Sequence, residues 1–159
     1  MYRDLKQLDE RVRELDQEVA AITREHEPVR RLMQINGVGP LIASALYALV
    51  GDARQYRNGR DLAVALGLTP RQHSSGGKEK LLGISKRGDK YVRTLLIHGA
   101  RSALRTAPSR TDRISRWALA LAERSHPNVA VTALANKTAR VAWAMLRHGA
   151  NYEPERVAA

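Results

Sequence analysis

The sequence predicts an all-α fold, in which an N-terminal coiled-coil helix precedes one compact helical domain. Three observations lead to this prediction. Apolar residues recur at alternating steps of three and four between residues 5 and 22, which is the heptad spacing of a coiled coil. Later segments carry apolar residues at the spacing of one helix face. Phenylalanine is absent whereas Ala, Leu and Arg are abundant, so we expect aliphatic side chains to fill a core between helices.

Length, charge and cysteine content restrict the possible functions. A chain of 159 residues suits one domain with an extension. The formal net charge is +11, yet residues 1–27 carry more acidic than basic side chains, so the basic surface should lie after residue 30. A polyanion, and nucleic acid before others, is the expected partner. The absence of cysteine excludes disulfides, thiolate metal sites and cysteine nucleophiles.

The sequence gives no sign of secretion or membrane insertion. Charged residues begin at Arg3, and the longest apolar run, Leu41–Val50, is too short to cross a bilayer. We therefore expect a cytoplasmic protein that works at the nucleoid and has no membrane partner.

Residues 1–30 are predicted to form a coiled-coil or dimerisation helix that breaks at Pro28. Its apolar seam consists of Leu5, Leu8, Val12, Leu15, Val19 and Ile22. So narrow a strip cannot bury itself, and we expect it to pair with a second copy or with another part of the same polypeptide. The alternative is an amphipathic helix folded onto its own domain.

Residues 31–50 resemble the helix-hairpin-helix DNA-binding motif. The sequence Ile35-Asn36-Gly37-Val38-Gly39-Pro40 has the hydrophobe-x-Gly-hydrophobe-Gly turn of that motif, followed directly by a helix to Val50. Gly37 and Gly39 could adopt positive φ, and the N–H groups at the start of the second helix could bind phosphate. Gly37, Val38 and Gly39 are thus candidate DNA-binding residues, unless the segment is only a tight turn between helices.

The next segment places two hydroxyl groups among many cations. Asn58 should cap a short helix through Leu66 that stops at Gly67, and a serine loop over residues 70–88 should contain at most one small β-hairpin around Gly76-Gly77. A serine nucleophile that attacks a phosphate needs a base and a positive environment. The candidate nucleophiles are Ser74 and Ser75, and His73 is the nearest candidate base. The candidate phosphate-binding cations are Arg71, Lys78, Lys80, Lys86, Arg87 and Arg93. Alternatively, Ser-Ser-Gly-Gly is only a turn.

Three helices complete the predicted domain, which ends near residue 150. Asp89 should cap a helix over 90–106, on which Arg93, Arg101 and Arg105 form a row facing phosphate, with Arg101 a further candidate for DNA binding. Asp112 should cap a helix through residue 124, and the last helix should span 128–148. Residues 151–159 are predicted to be a fraying tail.

Several of these segments together resemble one family. They are the hairpin, Gly-Leu-Thr-Pro-Arg at 67–71, Ser-Ser-Gly-Gly-Lys at 74–78 and the run from Ile84 to Leu96. They are similar to the C-terminal domain of insertion-sequence transposases whose N-terminal domain is RuvC-like with a DEDD acidic site, the bridge-RNA-guided recombinases. The resemblance covers residues 1 to about 150.

This resemblance implies a DNA recombinase domain whose serine becomes covalently joined to a DNA phosphate. The position that matches is Ser75, with Ser74 as the fallback. The resemblance also implies a homodimer through the coiled coil, and guide RNA as a further partner beside DNA. Divalent metal, expected to be Mg²⁺, would be held by the RuvC-like domain, and no cofactor or metal site is expected in this chain.

The sequence departs from the family pattern because it lacks the acidic RuvC-like domain. Its own acidic residues after position 30, such as Asp52, Asp61, Asp89 and Asp112, are scattered and form no evident two-metal set. The chain is therefore expected to supply half of a composite active site and to be inactive alone. The main alternative function is a non-catalytic DNA- or RNA-binding module.

Overall fold

The computed structural model describes residues 2–75 and 78–155, with the side chains of 72–75 and 78–81 excepted. The described part is a helical domain with one antiparallel β-hairpin, as the sequence predicts. The elements are α1 (Tyr2–Glu25), α2 (Glu27–Leu32), α3 (Pro40–Val50), α4 (Gly59–Ala65), β1 (Pro70–Ser75), β2 (Lys78–Ile84), α5 (Lys90–Thr106), α6 (Arg113–Arg124) and α7 (Pro127–His148), with 3₁₀ turns at Ala53–Gln55 and Ala107–Ser109. The predicted turn residues Gly76 and Gly77 lie outside the described residues.

The core lies between α5 and α7, with α3 and α4 packed around them. Leucines from four elements, Leu32, Leu46, Leu62 and Leu96, are fully buried in it. Helix α7 instead buries a row of alanines, which allows neighbouring helices to approach closely. That row consists of Ala130, Ala135, Ala139 and Ala142. The expected aliphatic core is confirmed.

The predicted helix boundaries follow from local capping. The side chains of Asn58, Asp89 and Asp112 each accept a hydrogen bond from a backbone N–H in the first turn of α4, α5 and α6. Glycines with positive φ follow α3, α4 and α7, where a residue with a Cβ would be strained. The helices therefore begin and end close to the predicted residues.

The break after α1 is the first correction. Helix α1 ends at Glu25, and His26 rather than Pro28 separates it from α2. Pro28 lies within the first turn of α2, where its missing N–H costs no hydrogen bond.

Helix α1 touches the domain only near its C-terminal end. Thr23 is buried, and its hydroxyl lies 3.2 Å from the hydroxyl of Ser44 on α3. The apolar seam along the rest of α1 stays largely in solvent, with Leu5 55% and Leu8 62% exposed. This geometry does not match the alternative in which the whole helix folds back onto its own domain.

Residues 149–152 contact the domain, although the sequence predicts that a fraying tail begins at 151. Gly149 accepts a hydrogen bond from Arg31, and the Tyr152 N–H donates to Gln34 Oε1 at 2.8 Å. Burial, followed by the negative charge of Asp112, raises the pKa of the half-buried Tyr152 phenol. These contacts join the C-terminal segment to α2 and to the turn that follows α2.

We expect Asp112→Ala to lower the free energy of unfolding by about 2 kcal/mol, because it removes a buried N-cap. Asp112 accepts hydrogen bonds from the N–H and hydroxyl of Ser115 and from Arg110 Nε. Burial alone would raise the pKa of Asp112, but these hydrogen bonds and the Arg110 charge lower it overall.

The lowered pKa of Asp112 determines how its contribution to the free energy of unfolding changes with pH. The stabilisation is present above the unfolded-state pKa of about 4 and is lost as the pH falls through the folded-state value. Urea unfolding of Asp112→Ala and the matched Asp112→Asn at pH 7 and pH 3 tests this. The asparagine variant should keep part of the cap and lose the part of the acid dependence that Asp112 contributes. If the free energy of unfolding had the same pH dependence in wild type and Asp112→Asn, the predicted role of the Asp112 carboxylate would be contradicted.

Candidate nucleic-acid interface

The β-hairpin brings the candidate serines next to the candidate lysines. In the register of the two strands, Ser75 pairs with Lys78, His73 with Lys80 and Ser74 with Glu79. Because positions alternate between the two faces of a strand, the positions of Ser75, Lys78, His73 and Lys80 share one face, and those of Ser74 and Glu79 share the other. The side chains themselves lie outside the described part, so the backbone register alone relates these residues.

The base of the hairpin is held by close backbone contacts. The N–H groups of Ser85 and Lys86 donate to the carbonyls of Thr69 and Gly67 at 2.8 and 3.2 Å. A Cβ on Gly67 would lie 2.0 Å from the Arg87 carbonyl, and one on Gly88 would lie 1.7 Å from the Ala65 carbonyl. Only glycine permits this approach between the end of α4 and residues 85–88.

The prediction that Arg93 belongs to an exposed row of arginines on α5 is wrong. Its side chain is only 8% exposed, and its Nη1 atom donates to the carbonyls of Leu66 and Asp89 at 3.1 and 3.4 Å. Arg93 therefore joins α5 to the end of α4 at the hairpin base instead of lying on the surface as a phosphate ligand. Arg101 and Arg105 are exposed, as the row requires.

The two glycines in the turn between α2 and α3 differ in part from the prediction. Gly37 has φ +82°, but a Cβ there would lie 2.3 Å from the Gly99 carbonyl, so its small size serves packing against α5. Gly39 has an extended backbone with φ −89°, not a positive φ. Space around Gly39 is open, since no atom lies within 4 Å of its added Cβ. Of the two glycines in this turn, Gly39 is the one where an added side chain would meet open space.

The N-terminus of α3 leaves backbone donors available beside this opening. Within the described residues, the N–H groups of Gly39, Leu41 and Ile42 have no protein acceptor. Such donors at a helix start, together with the helix dipole, favour an anion. A shallow polar depression adjoins them, and its wall includes Ser102 of α5 and Arg110.

Helix α5 connects the two candidate regions. Its first turn packs at the base of the β-hairpin, whereas Gly99 and Ser102 adjoin the α2–α3 turn. The distance between Arg93 and Gly99 along the helix axis is about 9 Å at 1.5 Å per residue. The cations Arg71, Lys86, Arg87 and Arg101 are exposed, so they remain candidate ligands for a polyanion. The side chains of Lys78 and Lys80 are outside the described part.

Sequence reasoning missed two residues near these regions, Arg110 and Lys137. Arg110 borders the depression at the α2–α3 turn and pairs with Asp112 at 2.8 Å. Lys137 of α7 lies 4.5 Å above the ring centroid of Trp117 on α6. The spacing of apolar residues in α6 could place Trp117 on the face of that helix that turns toward the domain. It could not show which residues of α7 would contact Trp117.

In residues 2–75 and 78–155, no three His, Cys, Asp or Glu side chains come close enough to hold a metal ion together. Asp89 and Asp112, two of the acidic residues in this part, cap helices. The described donor set therefore does not fit a two-metal centre. No helix in the described part is long and apolar enough to cross a membrane.

The fold and these regions define a small, basic helical domain with a serine-bearing hairpin. Residues 29–115 match the profile of the Transposase IS116/IS110/IS902 family. Because this match covers more than half of the chain, the protein belongs to that family. The match includes the α2–α3 turn, the β-hairpin and all of α5.

Curated relatives agree with this assignment. The chain is 48% identical over 151 residues to a probable family 20 transposase of Pseudomonas aeruginosa, covering 95% of this chain and 45% of the relative. It is 47% identical to the transposase for insertion sequence element IS1111A of Coxiella burnetii, covering 96% and 42%. It is 40% identical to the transposase for insertion sequence element IS1328 of Yersinia enterocolitica, covering 89% and 42%. The chain thus spans less than half the length of these relatives.

Proposed function

We propose that this chain is the serine-bearing part of a DNA transposase, in which Ser75 attacks a DNA phosphate and forms a phosphoserine link during strand exchange. The observation that carries the proposal is the hairpin register, which pairs the position of Ser75 with that of Lys78. Family membership and the transposase names of the relatives support the same role.

The register favours Ser75 over Ser74. The position of Ser75 shares a strand face with those of Lys78 and Lys80, whose charges would stabilise the phosphoryl oxygens. The position of Ser74 shares a face with Glu79, whose charge would repel a phosphate. His73 occupies the same face as Ser75 two residues away, so it is the proposed proton acceptor.

The proposed step exchanges one phosphate ester bond for another. Ser75 Oγ forms a bond to phosphorus while its proton passes to His73, and the bond from phosphorus to one sugar oxygen breaks. The released sugar oxygen takes up a proton. A sugar hydroxyl of another strand can later attack the phosphoserine and release Ser75, so strand exchange needs no ATP.

Metal would have to come from outside the described residues of this chain, which do not fit a metal centre. We propose that a RuvC-like domain supplies it, expected to be Mg²⁺, as part of a composite site. The roles assigned to Ser75, His73 and the lysines here do not involve the metal. Guide RNA remains a further proposed partner of the complete enzyme.

DNA would be held at two places that α5 links. The open N–H groups at the start of α3 form a helix-hairpin-helix contact for one phosphate, and the exposed Arg71, Lys86, Arg87 and Arg101 contact others. Such contacts hold the sugar-phosphate backbone and carry little sequence information.

A second candidate function is a non-catalytic nucleic-acid-binding module. The free N–H groups of α3 and the net charge of +11 would suffice for it without any serine chemistry. Such a module would bind DNA with strong salt dependence and would never form a covalent product.

The test of the proposed function is covalent trapping. The chain is incubated with end-labelled DNA and a divalent metal, with and without a separately expressed RuvC-like partner, and is then denatured. A labelled protein that requires the partner supports the composite site. Salt-sensitive DNA binding without an adduct under either condition would favour the binding module.

We also propose that α1 forms a homodimer, because its heptad seam stays exposed over residues 5–15. Replacing Leu8 and Leu15 by Asp should convert a dimer into a monomer. Burial of each leucine side chain in the dimer would contribute about 2 kcal/mol to the free energy of association. Sedimentation equilibrium measures the mass, and the matched control places Asp at Gln7 and Gln17, off the seam. A monomeric wild type, or a double variant of unchanged mass, would contradict the dimer.

A further inference from the structure

A cleft separates the base of the β-hairpin from helices α6 and α7. Its volume is about 620 Å³, within the range of pockets that bind small ligands. Pro70, Leu82 and Ile84 line the hairpin side. Trp117 of α6 and Val129 of α7 line the helical side. Leu82 and Val129 are among the exposed large apolar residues, 36% and 53% exposed, so the described part of the chain does not cover this surface.

The lining combines apolar surface with positive charge. Lys86, Lys137 and Arg140 contribute cations beside the apolar residues, and no Asp or Glu is among the described lining residues. Two amides, Asn128 and Asn136, also border the cleft. Asn136 Nδ2 donates to the Leu68 carbonyl at 3.2 Å, which fixes the amide and leaves its Oδ1 atom as an acceptor.

Lys137 is a cation of this lining that has an aromatic ring but no described carboxylate beside it. Its ammonium lies 4.5 Å above the ring centroid of Trp117, and no described carboxylate forms an ion pair with it. Burial, followed by the positive charges of Arg140 and Arg113, lowers the pKa of Lys137. A partly buried ammonium beside other cations carries a free-energy cost that a bound anion would relieve.

We propose that this cleft binds one unpaired nucleotide of a nucleic-acid strand. The planar base lies against Trp117, Leu82 and Val129, and its phosphate lies at Lys137 and Lys86. The adjacent cation and aromatic ring match a ligand in which a charged phosphate and a flat apolar base are neighbours. An apolar peptide would not need the three cations.

This inference rests on the proposed function in one respect, the identity of the strand. The cleft is at the base of the hairpin, five strand residues from Ser75, which corresponds to about 17 Å at about 3.4 Å per residue. The bound nucleotide would therefore flank the attacked phosphate. DNA and RNA share the chemistry that the cleft recognises, since each has a base and a phosphate.

The experiment compares an unpaired strand with a duplex by fluorescence anisotropy at fixed salt. The probes are a 15-nucleotide oligo(dT), a 15-nucleotide oligo(rU) and a 15-base-pair DNA duplex. We expect Lys137→Gln and Trp117→Leu to weaken binding of a single strand about tenfold and duplex binding by less than about twofold. Lys6→Gln makes the same change on α1, away from the cleft, and should leave single-strand binding unchanged.

A second measurement guards against variants that fold poorly. The Trp143→Phe variant leaves Trp117 as the only tryptophan, and its fluorescence should be quenched when a single strand binds, but not when the duplex binds. Absence of quenching on single-strand binding would overturn the proposal. So would equal losses in Lys137→Gln and Lys6→Gln.

The outcomes separate this inference from the proposed function. Salt-dependent duplex binding without preference for a single strand would overturn the cleft proposal and leave the role of Ser75 standing. Single-strand binding that Lys137→Gln weakens, together with no covalent adduct in the trapping assay that includes the RuvC-like partner, would support the cleft and count against the serine. Binding of none of the probes would overturn both. Tighter binding of oligo(rU) than of oligo(dT) would support the cleft and indicate that the bound nucleotide belongs to RNA. Tighter binding of oligo(dT) would support the cleft and indicate that the nucleotide belongs to DNA.

Discussion

In an enzyme completed by the proposed RuvC-like partner, Ser75→Ala is expected to lower strand exchange by more than about 10³-fold and to abolish covalent attachment to DNA. The physical reason is that alanine has no oxygen to bond to phosphorus, and the position of the neighbouring Ser74 lies on the opposite face of the strand. DNA binding should change by less than about fivefold, because one neutral hydroxyl contributes about 1 kcal/mol.

Ser74→Ala is the matched control, since Ser74 is the adjacent residue and its position lies on the opposite strand face, with Glu79. Its adduct yield should stay near that of the wild type. Loss of the adduct in Ser74→Ala but not in Ser75→Ala would assign the nucleophile to Ser74 and contradict the argument from register. Strand exchange in both variants would remove the serines from the mechanism.

Gly88→Ala is expected to have the largest effect on stability, lowering the free energy of unfolding by more than about 3 kcal/mol. Gly88 has φ +96°, which is costly for any residue with a Cβ, and the added Cβ would lie 1.7 Å from the Ala65 carbonyl. Backbone at the end of α4 or at residues 85–88 would have to move, and both support the base of the hairpin.

Gly83→Ala is the matched control for this prediction. Gly83 lies in β2 without a positive φ, and no atom lies within 4 Å of its added Cβ. Its free energy of unfolding should stay within about 1 kcal/mol of the wild-type value. Urea unfolding followed by circular dichroism measures both variants. Equal stability of the two would contradict the close backbone approach at the hairpin base.

Local sequence determines most of the helix boundaries in this chain. Asn58, Asp89 and Asp112 act as caps through backbone groups two or three residues away, so a reading of neighbouring residues suffices. The heptad pattern of α1 likewise predicts a helix over its full length. Neither pattern can specify a contact between residues far apart in the chain.

Some of the errors concern such distant contacts, whereas those at Pro28 and Arg93 have local causes. A step of four residues advances about 400° around a helix, so Arg93 and Arg105 differ by about 120°, and the predicted row turns toward the core at Arg93. Gly37 was expected to admit a phosphate because its partner Gly99, 62 positions away, could not be seen from the turn itself. Tyr152 meets Gln34 across 118 positions in the same way.

The most direct test of the central claim is mass spectrometry of the trapped adduct. After denaturation and digestion with nuclease and protease, the peptide spanning residues 72–78 should carry one nucleotide phosphate, and fragmentation should locate it on Ser75. A nucleotide located on Ser74, or on a residue outside the hairpin, would contradict the account. So would an active composite enzyme in which every strand remains free of protein throughout the reaction.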